Sequence, residues 1–290
     1  MNRRDFLQVS SVALLAASPL ARALEADNEF RRNIGLQLYT LRNELGTDTP
    51  GTIKAIAKAG YKQAEMFGFP DCDPVIAACK DSGLALNSTH FQWDTVISPK
   101  DESYPDFQRI LEKANKVGLK HLVIPYLTDE QRKTLEDYRK IAAHANKAAV
   151  LAKKAGIQLS YHNHAFEFQP REGGRTGFEI FMKEFGPDLH FELDVFWVKV
   201  GGVEPVSLMR KLSGRVSQLH LKDLKDGLKL PEFGSVPNDA FQELGDGIIA
   251  MEPIIEAGKA IGVKHCHVEQ DQSPNPLESV RQSLAYLKRL

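Results

Sequence analysis

Cysteine is scarce in this chain of 290 residues: Cys72, Cys79 and Cys266 are too few and too far apart for a disulfide framework or a Cys-x-x-Cys zinc site. The odd count leaves at least one thiol unpaired, and any metal site has to be built from histidine and carboxylates. Excess charge is also missing. There are 37 Lys and Arg against 38 Asp and Glu, a net of −1, so no electrostatic drive for non-specific nucleic-acid binding exists. No apolar run is long enough to cross a bilayer, which takes roughly 20 residues; the stretch from Val9 to Leu20 is short of that and contains Pro19. Nor does a glycine-rich phosphate turn follow the first strand-like segment, where Leu38-Tyr39-Thr40-Leu41-Arg42 stands instead. What is present, 42% hydrophobic and 26% charged residues, is ordinary globular composition.

The first 23 residues read as an address. Arg3-Arg4-Asp5-Phe6-Leu7, the apolar run Val12 to Ala17 and Ala21-Arg22-Ala23 form the basic, apolar and A-x-A cleavage regions of an export signal. The arginine pair followed by Phe-Leu resembles a twin-arginine signal, which carries folded and often metal-loaded proteins out of a bacterial cytoplasm. The expectation is a cleaved segment over 1–23, contact with the export machinery in transit, no stable membrane insertion, and a periplasmic mature chain over 24–290.

Eight short runs rich in branched and aromatic residues recur in that mature chain: Ile34 to Tyr39, Gln63 to Phe67, Ala85 to His90, His121 to Pro125, Ile157 to His162, His190 to Asp194, Ser217 to Leu221 and His265 to Glu269. Between them lie stretches with helical spacing, such as Phe107-Ile110-Leu111-Ala114-Val117 and Leu135-Tyr138-Ile141-Ala142-Ala145-Ala149. Several end on Gly60, Gly118, Gly156 or Gly262, where a helix C-terminus accepts a left-handed residue. Eight strand-helix units predict a single α/β (β/α)8 TIM barrel, with two α/β lobes meeting near Asp129 as the alternative.

In such a barrel the C-terminal ends of the strands carry the chemistry. Polar residues collect there: Gln37 and Tyr39, Glu65, His90 and Trp93, His162, His164 and Glu167, Glu192, Asp194 and Trp197, His220, Lys222 and Asp223, Glu269 and Asp271. His121, His190 and His265 begin their strands and read as stability-face residues. Asp194, His220 and Glu269, with one ligand from the fifth strand, make a plausible cage for one divalent ion, Mn²⁺, Mg²⁺, Co²⁺ or Zn²⁺. The bland alternative has Asp194 and Glu269 ion-paired with Lys199 or Lys222 and His220 merely packed. Like charges crowded into one mouth favour the cation.

The segments Leu36 to Arg42, Tyr161-His162-Asn163-His164-Ala165-Phe166-Glu167-Phe168, Glu192 to Trp197, His220-Leu221-Lys222-Asp223 and Val268 to Asp271 together resemble the sugar phosphate isomerase/epimerase family with the xylose isomerase-like TIM barrel. The resemblance implies a divalent metal at the barrel mouth, with Asp194, His220 and Glu269 in the last three ligand positions. The fifth strand departs from the commoner pattern: His162 stands where that pattern has a glutamate serving both as ligand and as one of two opposed acid/base carboxylates. Either His162 coordinates or Glu167 bends back to do so. Glu167 is preferred, because it keeps three carboxylates and one histidine around the ion. His164, Glu269, His162 and His90 are then the acid/base candidates, and Gln37, Tyr39, Glu65, Trp93, Trp197 and Lys222 the substrate-binding ones.

A metal of this kind stabilises an enediolate formed next to a carbonyl. The expected function is isomerisation or epimerisation of a non-phosphorylated sugar or keto-sugar. Metal-dependent lysis or hydrolysis of 3-keto-glycosides by β-elimination is the alternative, and a non-catalytic sugar-binding protein a third. The expected partner is a small carbohydrate, not nucleic acid, since xylose isomerase-like endonucleases would need a basic groove; a homo-oligomer stays open.

Overall fold

The computed structural model describes residues 33–290; the export signal expected over 1–23 lies outside them. Eight strands, β1 (Ile34–Gln37), β2 (Gln63–Phe69), β3 (Ala85–Phe91), β4 (His121–Ile124), β5 (Gln158–His162), β6 (Leu189–Asp194), β7 (Val216–Leu221) and β8 (His265–Val268), close into a barrel in the order β1-β8-β7-β6-β5-β4-β3-β2. Every neighbouring pair is parallel. Direct pairing of β4 with β5, Leu122 opposite Leu159, removes the two-lobe alternative. A helix follows each strand: α1 (Thr49–Ala59), α2 (Asp73–Ser82), α3 (Pro105–Val117), α4 (Leu135–Lys154), α5 (Gly177–Glu184), α6 (Pro205–Lys211), α7 (Met251–Ala260) and α8 (Pro276–Leu287). Among the described residues no helix is long and apolar enough to cross a membrane.

Helix ends follow local chemistry. Thr134 and Asp137 cap α4 reciprocally, side chain to backbone in both directions at 3.2 and 2.8 Å, satisfying two donors left over by the first turn. Gly60 ends α1 at φ +109°, a left-handed conformation that a side chain would strain. Along α4, Ile141, Ala142, Ala145, Ala149 and Ala152 recur at helical spacing on the buried face.

The strands alternate with period two, and the alternation runs contrary to the usual TIM barrel, whose bore is packed with Val, Ile and Leu. Here Leu36, Ala64, Leu122, Leu159, Phe191, Leu193, Leu219, Leu221 and Cys266 are buried apolar residues. The residues between them are polar: Gln37, Gln63, Glu65, Ser88, His90, His121, Ser160, His162, Glu192, Asp194, Gln218, His220 and His267. These polar side chains point into the bore, because several hydrogen-bond across strands that are not neighbours in the sheet, as Gln218 on β7 does to Glu65 on β2 at 2.8 Å. The hydrophobic core is therefore the annulus between strands and helices, where each fully buried Leu or Phe contributes about 1.5–3 kcal/mol. Gly35 leaves room in the bore: a Cβ there would lie 2.4 Å from Cδ2 of His267.

Candidate metal centre and active site

At the bottom of the bore His121 and His265, from opposite strands, bring their ring centroids to 5.4 Å, and His265 Nδ1 lies 3.1 Å from Gln63 Oε1. His121 and His265 thus stand at the stability end, and His190, second residue of β6, lies at that end as well.

One layer up, Glu65 and Glu192 are both fully buried and surrounded by donors. Glu65 accepts from Gln37 Nε2 at 2.6 Å, from His220 Nε2 at 2.7 Å, from Gln218 Nε2 at 2.8 Å, and from the Ser88 hydroxyl. Glu192 has Gln218 Nε2 at 2.5 Å, His90 Nε2 at 3.2 Å and His220 Nε2 at 3.3 Å. Burial works against a charged His90, but Glu65 and Glu192 outweigh it and raise its pKa to about 9. Gln37 and Glu65, expected to touch substrate, are held in this layer beneath the mouth; Gln37 also accepts from the Tyr39 backbone at 3.1 Å.

At the mouth, His162, Asp194, His220 and Glu269 bring one donor atom each within 4.8 Å of one another. His162 Nε2 lies 3.2 Å from Asp194 Oδ2, with its Nδ1 3.2 Å from the carbonyl of Pro125. His220 Nδ1 lies 2.8 Å from Glu269 Oε2 and 3.8 Å from Asp194 Oδ2. Asp194 is fixed from its other side: Oδ1 accepts the Trp197 N–H at 3.0 Å, capping the short helix Val195–Val200. Lys222 Nζ sits 2.7 Å from Glu269 Oε2, 3.2 Å from Asp194 Oδ2 and 3.1 Å from Asp271 Oδ2. Although burial opposes their ionisation, Lys222 and the histidines hold Asp194 at about 2 and Glu269 well below the carboxylate range. The ion-pair alternative is thus partly realised, by Lys222 and not by Lys199, which pairs with Glu204.

The residues fit a divalent cation. Nδ1 of His220 and Oε2 of Glu269 are buried and 2.8 Å apart without hydrogen-bonding geometry between them, and Lys222 Nζ stands 2.7 Å from the same oxygen. Two imidazoles and two carboxylates that converge on one small volume are a donor set suited to a divalent cation.

Glu167, preferred above as the fifth-strand ligand, is turned away from this group. Its carboxylate accepts from the Tyr161 hydroxyl at 2.5 Å and from the His164 N–H at 2.8 Å, and burial raises its pKa to about 8. The reason is the alternation: His162 points into the bore, so Tyr161 points outward, and the 3-10 turn Phe166–Phe168 carries Glu167 to Tyr161's side. His162 occupies the place in the cluster.

His164 stands beside the cluster. Its ring centroid is 5.0 Å from that of His162 and 5.1 Å from that of Trp197, and its Nδ1 has no partner. Burial first, then His162 and Lys222, hold its pKa well below the ordinary value, so the imidazole is neutral. His90 approaches His162 from its own strand at 5.6 Å. Tyr39 is 42% exposed, edge-on to Phe67 with the Arg42 guanidinium over its ring. Trp93, half-buried, caps the short helix Asp94–Ile97 without a partner for its Nε1. Phe91 and Phe196 pack in the core against Phe107 and Phe241. Asp223 accepts backbone N–H groups from Leu224, Gly245, Gly247 and Ile249 and staples the long loop after β7. Tyr126, edge-on to His164 at 5.1 Å, and the deep residues Gln218, Ser88 and His267 were not singled out from the sequence. The alternation of polar residues in Gln218-Leu219-His220-Leu221-Lys222 was the available signal for Gln218.

Fold and site together define an enzyme of the TIM-barrel class with a metal-competent mouth. The family model for the xylose isomerase-like TIM barrel matches residues 53–290, and the chain belongs to that family. Among curated proteins, the inosose dehydratase of Clostridium tetani is 28% identical over 265 residues, covering 81% of this chain and 87% of that protein. Among solved structures, a sugar phosphate isomerase/epimerase from Parabacteroides distasonis is 27% identical with a TM-score of 0.72, covering 88% of this chain and 93% of that one. The zinc-bound IOLI protein, at 16% identity and a TM-score of 0.63 over 89% of this chain and 95% of its own, shares the fold. The protein is thus an enzyme of the xylose isomerase-like TIM-barrel family, with residues fit for a divalent metal.

Proposed function

We propose that the protein is a divalent-metal-dependent lyase that removes the proton next to the ketone of a keto-sugar, keto-cyclitol or keto-glycoside and expels the oxygen on the β-carbon. The observation that carries this reading is the fifth strand, which contributes His162 to the cluster and neutral His164 beside it in place of a second acid/base carboxylate. An epimerase working through two opposed glutamates lacks one of them here. The name of the Clostridium relative, a dehydratase of the ketone inosose, supports elimination.

His162, Asp194, His220 and Glu269 are the proposed ligands; two imidazoles move the donor set away from Mg²⁺ and toward Zn²⁺, Co²⁺ or Mn²⁺. When bound, such an ion stabilises the negative charge that develops on the carbonyl oxygen. His164, a neutral imidazole beside the cluster, takes the proton from carbon. The C–H electron pair becomes the new double bond as the C–O bond breaks, and the departing oxygen takes a proton from His90, which Glu65 and Glu192 keep charged. Opposite pKa displacements of two imidazoles beside one cluster are the pattern of a base and an acid. Lys222 keeps Asp194 and Glu269 ionised, and Trp197 and Tyr126 present aromatic faces to a sugar ring.

Incubating metal-loaded protein with inosose, free ketoses and 3-keto-glucosides in deuterated water tests this. The expected products are an unsaturated ketone and released water or aglycone, and His164→Ala lowers kcat about 10²–10⁴-fold with metal content unchanged. A deuterated isomer or epimer without release transfers the protein to the isomerase reading; no turnover on any of them defeats both. We also propose export by the twin-arginine route: Arg3→Lys with Arg4→Lys should strand precursor in the cytoplasm, and undiminished periplasmic protein counts against it.

A further inference from the structure

Glu65 is fully buried and lies against the back of a proposed ligand. We propose that Glu65 is a positioning residue: by accepting the Nε2 proton of His220, it fixes the tautomer and ring orientation that turn His220 Nδ1 to the mouth. This rests on the metal reading above.

The geometry is specific. Glu65 Oε1 lies 2.7 Å from His220 Nε2, while His220 Nδ1 lies 2.8 Å from Glu269 Oε2, so the two ring nitrogens serve two different layers. An imidazole that gives its only proton to Glu65 keeps a lone pair on Nδ1, the nitrogen that lacks a hydrogen-bond partner. Glu65 is itself immobilised by Gln37, Ser88 and Gln218, contributed by three other strands, so its oxygens cannot rotate away. His162 shows the same design with a weaker anchor: its Nδ1 meets the Pro125 carbonyl, a neutral acceptor, at 3.2 Å. A carboxylate behind an imidazole raises its basicity more than a carbonyl does. Of the two histidines, His220 is thus the more strongly oriented, and β2, which supplies no ligand, takes part in the site through Glu65.

The test uses Zn²⁺ as the probe and the full mature chain. In the zinc-loaded wild type, long-range ¹⁵N–¹H correlation spectra should show His220 protonated on Nε2 and coordinated through Nδ1. Glu65→Gln should weaken zinc about 10–100-fold in chelator competition. Ser88→Ala, which removes a donor from Glu65 without touching His220, should leave zinc affinity within about twofold, since the Glu65–His220 bond is intact. Coordination through Nε2, or wild-type zinc affinity in a folded Glu65→Gln, overturns the assignment. Should Glu65→Gln fail to fold, the wild-type spectrum alone decides. A wild type that takes up no zinc defeats the metal reading, and this assignment with it.

Discussion

The barrel holds two clusters of the same residue types, and they share His220. The deep one joins Glu65, His90, Glu192 and His220; the one at the mouth joins His162, Asp194, His220 and Glu269. Composition does not separate them, but the partners of their carboxylates do. In the deep cluster both oxygens of Glu65 and both of Glu192 already accept from Gln37, Ser88, Gln218 or a histidine. In the mouth cluster Glu269 Oε2 has Lys222 Nζ at 2.7 Å and His220 Nδ1 at 2.8 Å, neither in hydrogen-bonding geometry. Donors on every oxygen hold the two deep carboxylates still, although Gln218 Oε1 and both nitrogens of His267 in that layer lack a partner; the mouth carboxylate Glu269 is held by a cation instead.

The sharpest way to break that contrast is at the mouth. Glu269→Gln should lower zinc affinity by at least about 100-fold, more than the loss of an outer partner costs, and abolish turnover, at a stability cost of about 1–2 kcal/mol because Lys222 keeps Asp194 and Asp271. Elemental analysis beside urea unfolding reads both; retained metal in this variant would remove Glu269 from the cage. The deep layer should respond the other way round. Gln218→Ala leaves two buried carboxylates without their common donor and should cost about 3 kcal/mol, with zinc content unchanged. If Gln218→Ala loses metal at full stability, the two layers are not distinct. The smallest effect belongs to the bottom of the bore, where burial first and then His265 lower the His121 pKa to about 4 from an ordinary 6.5. A histidine lowered in the folded state stays neutral there while the unfolded chain takes up the proton. Stability is therefore full above about pH 6.5 and declines as pH falls toward 4, by at most about 3 kcal/mol from this group. His121→Leu should flatten that slope in urea titrations; an unchanged slope places the titration elsewhere.

The architecture was legible because each strand carried a short apolar run and several helices a terminal glycine, both local signals. The mouth was legible for a related reason: Asp194 ends β6, and His220 and Glu269 lie at the ends of β7 and β8, so knowing the strands nearly gives their side-chain direction. Glu167 against His162 turned on facing. The strand parity that sends His162 inward also gives Tyr161 an outward hydroxyl, which the Glu167 carboxylate accepts from. Depth was the harder matter. Gln37 ends its strand as a mouth residue should, yet it hydrogen-bonds to Glu65 under the mouth, because barrel strands are staggered and a strand end is not a fixed height. Stagger is a property of the closed sheet, and no single segment contains it.

Placing the apolar core outside the strands and the polar residues inside has a consequence for how such a barrel changes over time. Leu36, Leu159, Phe191 and Leu219 supply hydrophobic energy without touching the bore, so the inward positions are free to vary without loss of the drive to fold. They are not free to vary singly. Gln218 serves Glu65, Ser88 and Glu192 at once, and an inward substitution is tolerated only when its donors and acceptors are replaced as a set. New specificities on this scaffold should therefore arise in jumps of several linked residues, and a library that randomises the bore one position at a time samples mostly broken networks.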